Sequence, residues 1–283
     1  MILIAILICL ALQRFADVGG WFKPSWFEMY LKALNPWVGK LNEWVAVFCV
    51  IVPVLLFLVL LHLVFGRGFF GLFDLILATL VLFFCIDARD LKNKLAAYFV
   101  NIEKGDFHAA VSDVANFVGD VASDNSAELN RAVTKAILLD SFERIFAGLF
   151  WFMVFGVYGA AAYCLVGLLR KNALKVDSNY IELAKLAAQI QDALDWVPSR
   201  LVGVSYALVG DFNKGFGYFS KFLLSGLTGV KKFSVDSGLA ALVVDPDGAK
   251  ATVKENYAAL DLINHTLIIW LIALALVLFG IWL

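Results

Sequence analysis

Apolar residues run almost unbroken at three places along the chain. "WVAVFCVIVPVLLFLVLLHLVF" covers Trp44–Phe65, "FFGLFDLILATLVLFFCI" covers Phe69–Ile86, and "LINHTLIIWLIALALVLFGIWL" covers Leu262–Leu283. A helix needs about 20 such residues to cross a bilayer. Each run is therefore expected to be a transmembrane helix. Only "GRG" joins the first two, which predicts a tight antiparallel hairpin. A fourth run, "IFAGLFWFMVFGVYGAAAYCLVGLL", spans Ile145–Leu169 and carries Gly156 and Gly159 at its centre.

Charge bears on the fourth run. Residues 87–145 hold Arg89, Lys92, Lys94, Lys104, Arg131, Lys135 and Arg144, and residues 170–261 hold eleven Lys/Arg beginning with Arg170 and Lys171. The positive-inside tendency favours keeping both segments on one side. A re-entrant helical hairpin turning between Gly156 and Gly159 does this, with buried non-helical backbone at its tip. A single crossing over 145–169 is the alternative. The short run at residues 1–16 is expected to be a helix embedded in the membrane core. The Trp-, Phe- and Lys-rich segment after it has the composition of an interfacial element.

The remaining chain reads as cytoplasmic helices. Over 87–144, Leu91, Leu95, Tyr98, Phe99 and Ile102 recur at helical spacing, "EKGD" reads as a turn, and Ser123–Ser126 offer caps for a further helix. Over 170–261, a helix is expected from Ser178 to about Asp195, followed by short helices between "GDFNKGFG" and "DPDG" turns. "KVDSNY" with Asp177 reads as a cap, and His265 as interfacial. The fold class is all-α: a polytopic membrane protein with three to four transmembrane helices, a re-entrant hairpin and a helical cytoplasmic portion, in one integrated domain over 1–283.

Composition agrees with the pattern. The 283-residue chain is 62% hydrophobic and 17% charged, against about 45–50% and 25% in soluble domains. Its mean hydropathy is +0.84. The net charge of −1 gives no reason to expect nucleic acid as a partner. Cys9, Cys49, Cys85 and Cys164 lie apart within apolar runs, so they read as small buried hydrophobes rather than disulfides or metal ligands. The first residues have neither a basic start nor a clear cleavage site, so no removable leader is expected. No phosphate-binding glycine loop is present, since "GDFNKGFG" has the wrong spacing.

The most unusual stretch is "DALDWVPSRLVGVSYALVG", Asp192–Gly210. Proline is at home in a first helical turn. Pro198 therefore predicts a helix start, with Asp195 near the N-cap. Val197, Leu201, Val204 and Leu208 then form an apolar stripe at helical spacing. Arg200 sits early in that helix, where the dipole disfavours a cation, so it needs a partner. One reading pairs it with Asp195, Asp192 or another carboxylate. The other has it receive an anionic group together with the helix N-terminus and the adjacent Trp196.

Two further groups are candidates. His62 and Asp74 lie at similar distances from the "GRG" tip and can face each other; intramembrane ionisable residues are functional candidates, though both also sit near enough to the interface to snorkel. Asp140, Glu143 and Arg144 precede the fourth run. Asp140 and Arg144 form an i,i+4 pair that supports a helix, or the three line a polar pocket facing Arg200. The sequence suggests no catalytic residue, metal site or cofactor.

"LDWVPSRLVGVSYALVGDFNKGFGYF" closely resembles the matching part of the AmpE family, inner-membrane proteins named for β-lactamase regulation. "LDWVPSRL" more distantly resembles the "LNWIPARL"-type motif of the CobD/CbiB family, membrane synthases of the cobalamin pathway. "LFWFMVFGVYGAAAYCLVGLL" and "ARDLKNKLAAYFVNIEKGDFHAAVSDV" resemble stretches common to both. The resemblance covers nearly the whole chain and carries over Asp195, Pro198 and Arg200. The synthases' acidic–amide segment is replaced here by "LLDSFERIFAG", and "ASDNSAEL" and "SVDSGLAALVV" match their motifs poorly. The resemblance implies a multi-pass protein of the bacterial inner membrane that signals cell-wall stress towards β-lactamase induction. Its partners would be the bilayer, an anionic molecule such as a muropeptide or nucleotide, and a signalling protein. The alternative it implies is a divergent amide-forming synthase that consumes nucleotide.

Overall fold

The computed structural model describes residues 2–15, 25–38, 41–65, 71–86, 89–119, 125–177, 180–223, 226, 229–243 and 252–282. Among these residues every regular element is helical. The "GRG" tip, residues 16–24 and 39–40 of the interfacial segment, the "DPDG" turn, part of "KVDSNY" and part of the Ser123–Ser126 cap lie outside them. The chain, expected as one integrated body, divides into two compact units: residues 1–86 with 148–195, and residues 87–147 with 196–283.

The first unit contains α1 (Ile2–Phe15), α2 (Ser25–Val38), α3 (Glu43–Phe65), α4 (Leu72–Cys85), most of α8 (Ala147–Val176) and the first half of α9 (Ile181–Val209). α3 is long and apolar enough to cross a membrane, and its core-facing side is limited to Ala46, Val47, Val50 and Leu58. Phe48, Leu56, Leu60 and Val64 are exposed, as suits a helix whose solvent is lipid. The expected second span is shorter: α4 has 14 residues, about 21 Å at 1.5 Å per residue, short of a bilayer core. α1 packs on α4, and the Gln13 side-chain amide donates to the Ile86 carbonyl at the end of α4. Phe27 and Leu31 of α2 join Val47 and Val50 of α3, Leu169 and Ala173 of α8 and Leu183 and Ala187 of α9 in one core cluster.

α8 folds back on itself at Gly156. That residue has φ 62° and ψ −146°, a conformation outside the helical region. Residues 148 and 160 both approach Cys85: a Cβ on Gly148 would lie 3.9 Å from the Cys85 carbonyl oxygen, and the Cys85 thiol donates to the Ala160 carbonyl at 3.4 Å. Residues 151 and 163 likewise both meet α9. The Trp151 indole donates to the Leu194 carbonyl at 3.3 Å, and the Tyr163 hydroxyl donates to Asp195 at 2.8 Å. A Cβ on Gly159 would also collide with the Trp151 carbonyl, eight residues away, while residues 148 and 160, twelve apart, share Cys85. The separation of facing residues grows away from Gly156, so the two arms run antiparallel. The run Ser126–Val176 is long and apolar enough to count as a span by composition, but Gly156 divides it.

The second unit contains α5 (Arg89–Glu103), α6 (Phe107–Val118), α7 (Ser126–Ser141), a π-helical turn (Phe142–Phe146), the second half of α9, α10 (Phe212–Phe222), α11 (Val230–Ala241) and α12 (Val253–Trp282). Asp106 caps α6 by accepting from Ala109 N–H, Asn125 caps α7 by accepting from Ala127 N–H, and Asp211 caps α10 by accepting from Lys214 N–H. α12 starts nine residues before the apolar run expected to be its core, at Val253 rather than Leu262. Glycines set the close approaches in this unit. A Cβ on Gly238 of α11 would lie 2.8 Å from Leu138 of α7, and one on Gly215 of α10 would lie 2.9 Å from Ala207 of α9.

Candidate functional site

The helix start expected at Asp195 does not occur. α9 runs continuously from Ile181 to Val209 with Pro198 inside it. A proline within a helix leaves the carbonyl four residues earlier without its N–H donor. That carbonyl belongs to Leu194, and the Trp151 indole donates to it. The helix therefore continues through the proline because a side chain supplies the missing donor. Asp195 is not an N-cap, and Arg200 lies two-thirds of the way along a 29-residue helix, so the helix-terminus argument for an anion falls away. Trp151→Phe removes the replacement donor and is expected to cost about 1–2 kcal/mol. A lowered melting temperature in detergent checks it, and Pro198→Ala, which restores the backbone N–H, should recover most of the loss.

Asp195 is fully buried in the first unit, held by Tyr163. Asp192, three residues earlier, is partly buried.

In the second unit Arg200 is 6% exposed. Its guanidinium carbon lies 4.8 Å from the Trp196 ring centroid and 4.5 Å from that of Phe233 on α11. Two aromatic faces thus flank the cation, an arrangement favoured by the ring quadrupole. Nε donates to the Leu223 carbonyl at 3.3 Å and Nη1 to Ser199 Oγ at 2.9 Å. Gly203 makes room for this: a Cβ there would lie 3.1 Å from Phe233 and 3.2 Å from Ser237.

α11 links Arg200 to the residues before the fourth apolar run. Two residues before Phe233, Lys231 forms an ion pair with Glu143 at 2.8 Å, and both side chains are largely buried. Glu143 and Arg144 lie in the π-helical turn. Such turns often mark functional sites because the extra residue per turn re-aims side chains. Arg144 Nε donates to Asp140 at 2.7 Å, the i,i+4 pair read from the sequence. Further along α11, Asp236 accepts from the Tyr218 hydroxyl at 3.2 Å. The structure thus gathers Trp196, Arg200, Asp140, Glu143 and Arg144 in one unit. It adds Lys231, Phe233, Tyr218 and Asp236. Nothing in the spacing of these four singled them out, because their role depends on how α11 packs.

A second polar centre in this unit was also illegible in the sequence. The Tyr98 hydroxyl donates to Asn130 Oδ1 at 2.6 Å, and Thr134 Oγ1 donates to Asn256 Oδ1 at 2.6 Å. Asn256 Nδ2 donates to Tyr98 Oη at 2.9 Å and to Asn130 Oδ1 at 3.2 Å. All four residues are buried, and they tie α5, α7 and α12 together. In the first unit, His62 Nδ1 and Asp74 Oδ1 lie 2.8 Å apart, the facing expected across the α3–α4 hairpin. Both side chains are more than a third exposed.

Comparison with known proteins fits these features. Residues 1–282 match the family model described as "Regulatory signalling modulator protein AmpE". A cobalamin biosynthesis protein CobD of Stutzerimonas stutzeri is 30% identical over 174 residues, covering 61% of this chain and 55% of its own. CobD of Chromobacterium violaceum is 29% identical over 145 residues, covering 51% and 46%. Protein AmpE of Shigella flexneri is 27% identical over 151 residues, covering 51% and 53%. The chain thus spans about half the length of these curated relatives. No solved structure matches. The match over 282 residues, on an all-helical multi-pass membrane chain, places this protein in the AmpE family of regulatory signalling modulators.

Proposed function

We propose that this protein is a sensor or signalling component of the bacterial inner membrane, linked to cell-wall stress and β-lactamase induction. In this reading it responds to an anionic ligand or a protein partner at the Arg200 site. The observation that carries it is a nearly buried arginine between two aromatic rings, one of them on α11, the helix that also carries Lys231 of the Glu143–Lys231 pair. Burying a guanidinium is costly unless its donors are used, and a site that keeps this charge is suited to a carboxylate or phosphate. We further read the reversal at Gly156 as a re-entrant hairpin rather than a crossing, as the charge distribution favours.

Native mass spectrometry of the wild type and of Arg200→Lys tests the ligand reading. The expected result is an anionic adduct on the wild type that is reduced at least tenfold in the variant. Its mass separates a cell-wall fragment from a nucleotide or corrinoid. Equal spectra without adduct, from two equally stable proteins, would move the function to protein–protein signalling.

The CobD relatives support a second reading, an amide-forming synthase that consumes nucleotide. Glu143 and Arg144 stand where the synthases' acidic–amide segment lies, and each forms an ion pair within this chain, Glu143 with Lys231 and Arg144 with Asp140. Nucleotide turnover by the purified protein would favour the synthase.

A further inference from the structure

Val197, Leu201, Val204 and Leu208 form the apolar stripe that the sequence suggests, yet the fold does not bury it. Leu208 is 56% exposed, Val197 and Leu201 are similarly open, and Val204 is partly buried. The stripe continues into α10, where Phe212 is 51% exposed and stacks on the exposed Phe216 at 5.2 Å. Contiguous exposed apolar surface of this kind marks an interaction surface. α10 also has two faces. Phe212, Phe216 and Leu223 fall on one side, and Lys214 and Lys221 about half a turn away on the other. Apolar residues opposite lysines are the pattern of a helix lying in a membrane interface.

α12 fixes the depth of this surface. The buried Trp270 indole donates to Ser205 Oγ of α9 at 2.9 Å. Phe146 lies in the same layer, 5.3 Å from Trp270 and 6.1 Å from Tyr206. Trp270 is about 12 Å along the helix from Leu262, where the apolar stretch of α12 begins, and about 18 Å from its other end. It therefore sits near the middle of the bilayer core, which is about 30 Å thick. Leu201 and Leu208 lie about 6 Å and about 5 Å from Ser205 along the helix, on either side of it, and so stay inside the bilayer core. The outward residues of α12 at that level, Ile268 and Ile272, are exposed as well.

We propose that Val197–Leu208 of α9, with Phe212 and Phe216 of α10, form a lipid-facing surface beside α12. This moves a segment that reads as cytoplasmic in the sequence into the membrane. It also places Arg200 about 7–8 Å from Ser205 along the helix, between the bilayer middle and its edge. An anionic group reaching Arg200 would then come from the membrane interface. The surface itself does not depend on there being a ligand.

Site-directed spin labelling in anionic phospholipid vesicles tests it. Single cysteines replace Leu201, Leu208, Phe212, Lys221 or Ile272 in a protein whose four native cysteines are alanine. Labels at 201, 208 and 212 should collide with oxygen several-fold more than with a water-soluble nickel chelate, as at 272, with the opposite ratio at 221. Nickel access at 201 and 208 would mean a watery surface, and low access to both reagents would mean a protein cover. Either overturns the proposal. If the cysteine-free protein does not fold, a photoreactive benzoylphenylalanine at 208 in the otherwise native chain replaces the labels. A phospholipid adduct there, as at 272, supports the surface. Cross-linking to protein at 208, or no lipid adduct there while 272 gives one, overturns it.

Discussion

Gly159→Ala is expected to be among the most damaging single substitutions in the first unit. A Cβ at this position would lie 2.4 Å from the Trp151 carbonyl oxygen and 2.6 Å from the Phe155 Cβ. Neither contact can be relieved by rotating a side chain, because both atoms are fixed to the backbone of the arm of α8 that precedes Gly156. The arms must separate, which also pulls Trp151 from Leu194 and Tyr163 from Asp195. The cost should reach about 3 kcal/mol or more, at the upper end of overpacking effects. Gly156→Ala is the comparison. A Cβ there meets nothing within 4 Å, so its cost is backbone strain alone, about 1–3 kcal/mol for a conformation at φ 62° and ψ −146°. Thermal unfolding of both variants in one detergent separates them. The antiparallel description of α8 fails if Gly159→Ala melts within about 2 °C of wild type, a shift worth only about 1 kcal/mol.

Asn256→Leu should have a comparable effect in the second unit. Its amide donates to Tyr98 and Asn130 and accepts from Thr134, and all three partners are buried. Leucine removes three hydrogen bonds and leaves buried polar atoms short of partners. Each such group costs about 1–3 kcal/mol, and network members depend on one another. A loss of about 3 kcal/mol is expected, and Thr134→Val should lose less, because it removes one hydroxyl whose single proton is shared between Asn256 Oδ1 and the Asn130 carbonyl. Equal melting temperatures for Asn256→Leu and wild type would show that the network contributes nothing net.

The same network predicts a pH dependence. Burial pushes the Tyr98 phenol up to about 12 from an ordinary value of 10, partly offset by the hydrogen bond from Asn256. The folded state therefore holds the proton more tightly than the unfolded state. The stabilisation is fully present below pH 10 and is lost as pH rises through about 12. A shift of that size is worth on the order of 2–3 kcal/mol. Melting temperatures between pH 8 and 12 should fall less steeply in Tyr98→Phe than in wild type, although the variant starts lower. Parallel curves would rule out Tyr98 as the titrating group.

Several elements were legible because their cause is local. Unbroken apolarity over 44–65 and 262–283 marks α3 and the apolar part of α12 without reference to neighbours. Asp140 and Arg144 pair because four residues make one turn. His62 and Asp74 meet because they are placed symmetrically about a short hairpin. Gly156 signals a break because few other residues adopt its backbone angles.

Other features lay outside the reach of local rules. Pro198 carries a strong local signal for a helix start, and the signal misled, because the carbonyl it frees is satisfied by a tryptophan 43 residues earlier. Lys231, Phe233 and Asn256 look ordinary along the chain and matter only once α11 and α12 bring them to Glu143, Arg200 and Asn130. The stripe from Val197 to Leu208 was correctly periodic, but periodicity says that a face is apolar and not what covers it.

By itself, then, the sequence determined an all-α, multi-pass membrane chain, the helices with uninterrupted apolarity, and the short-range pairs. These follow from hydrogen bonding and hydrophobicity over one or two turns, which no distant residue can easily override. Only the tertiary structure decided that α9 continues through its proline, that α8 reverses, and that Arg200 lies between two rings. Each of these depends on a donor, a gap or an aromatic face supplied from far along the chain, and such partners are set by packing.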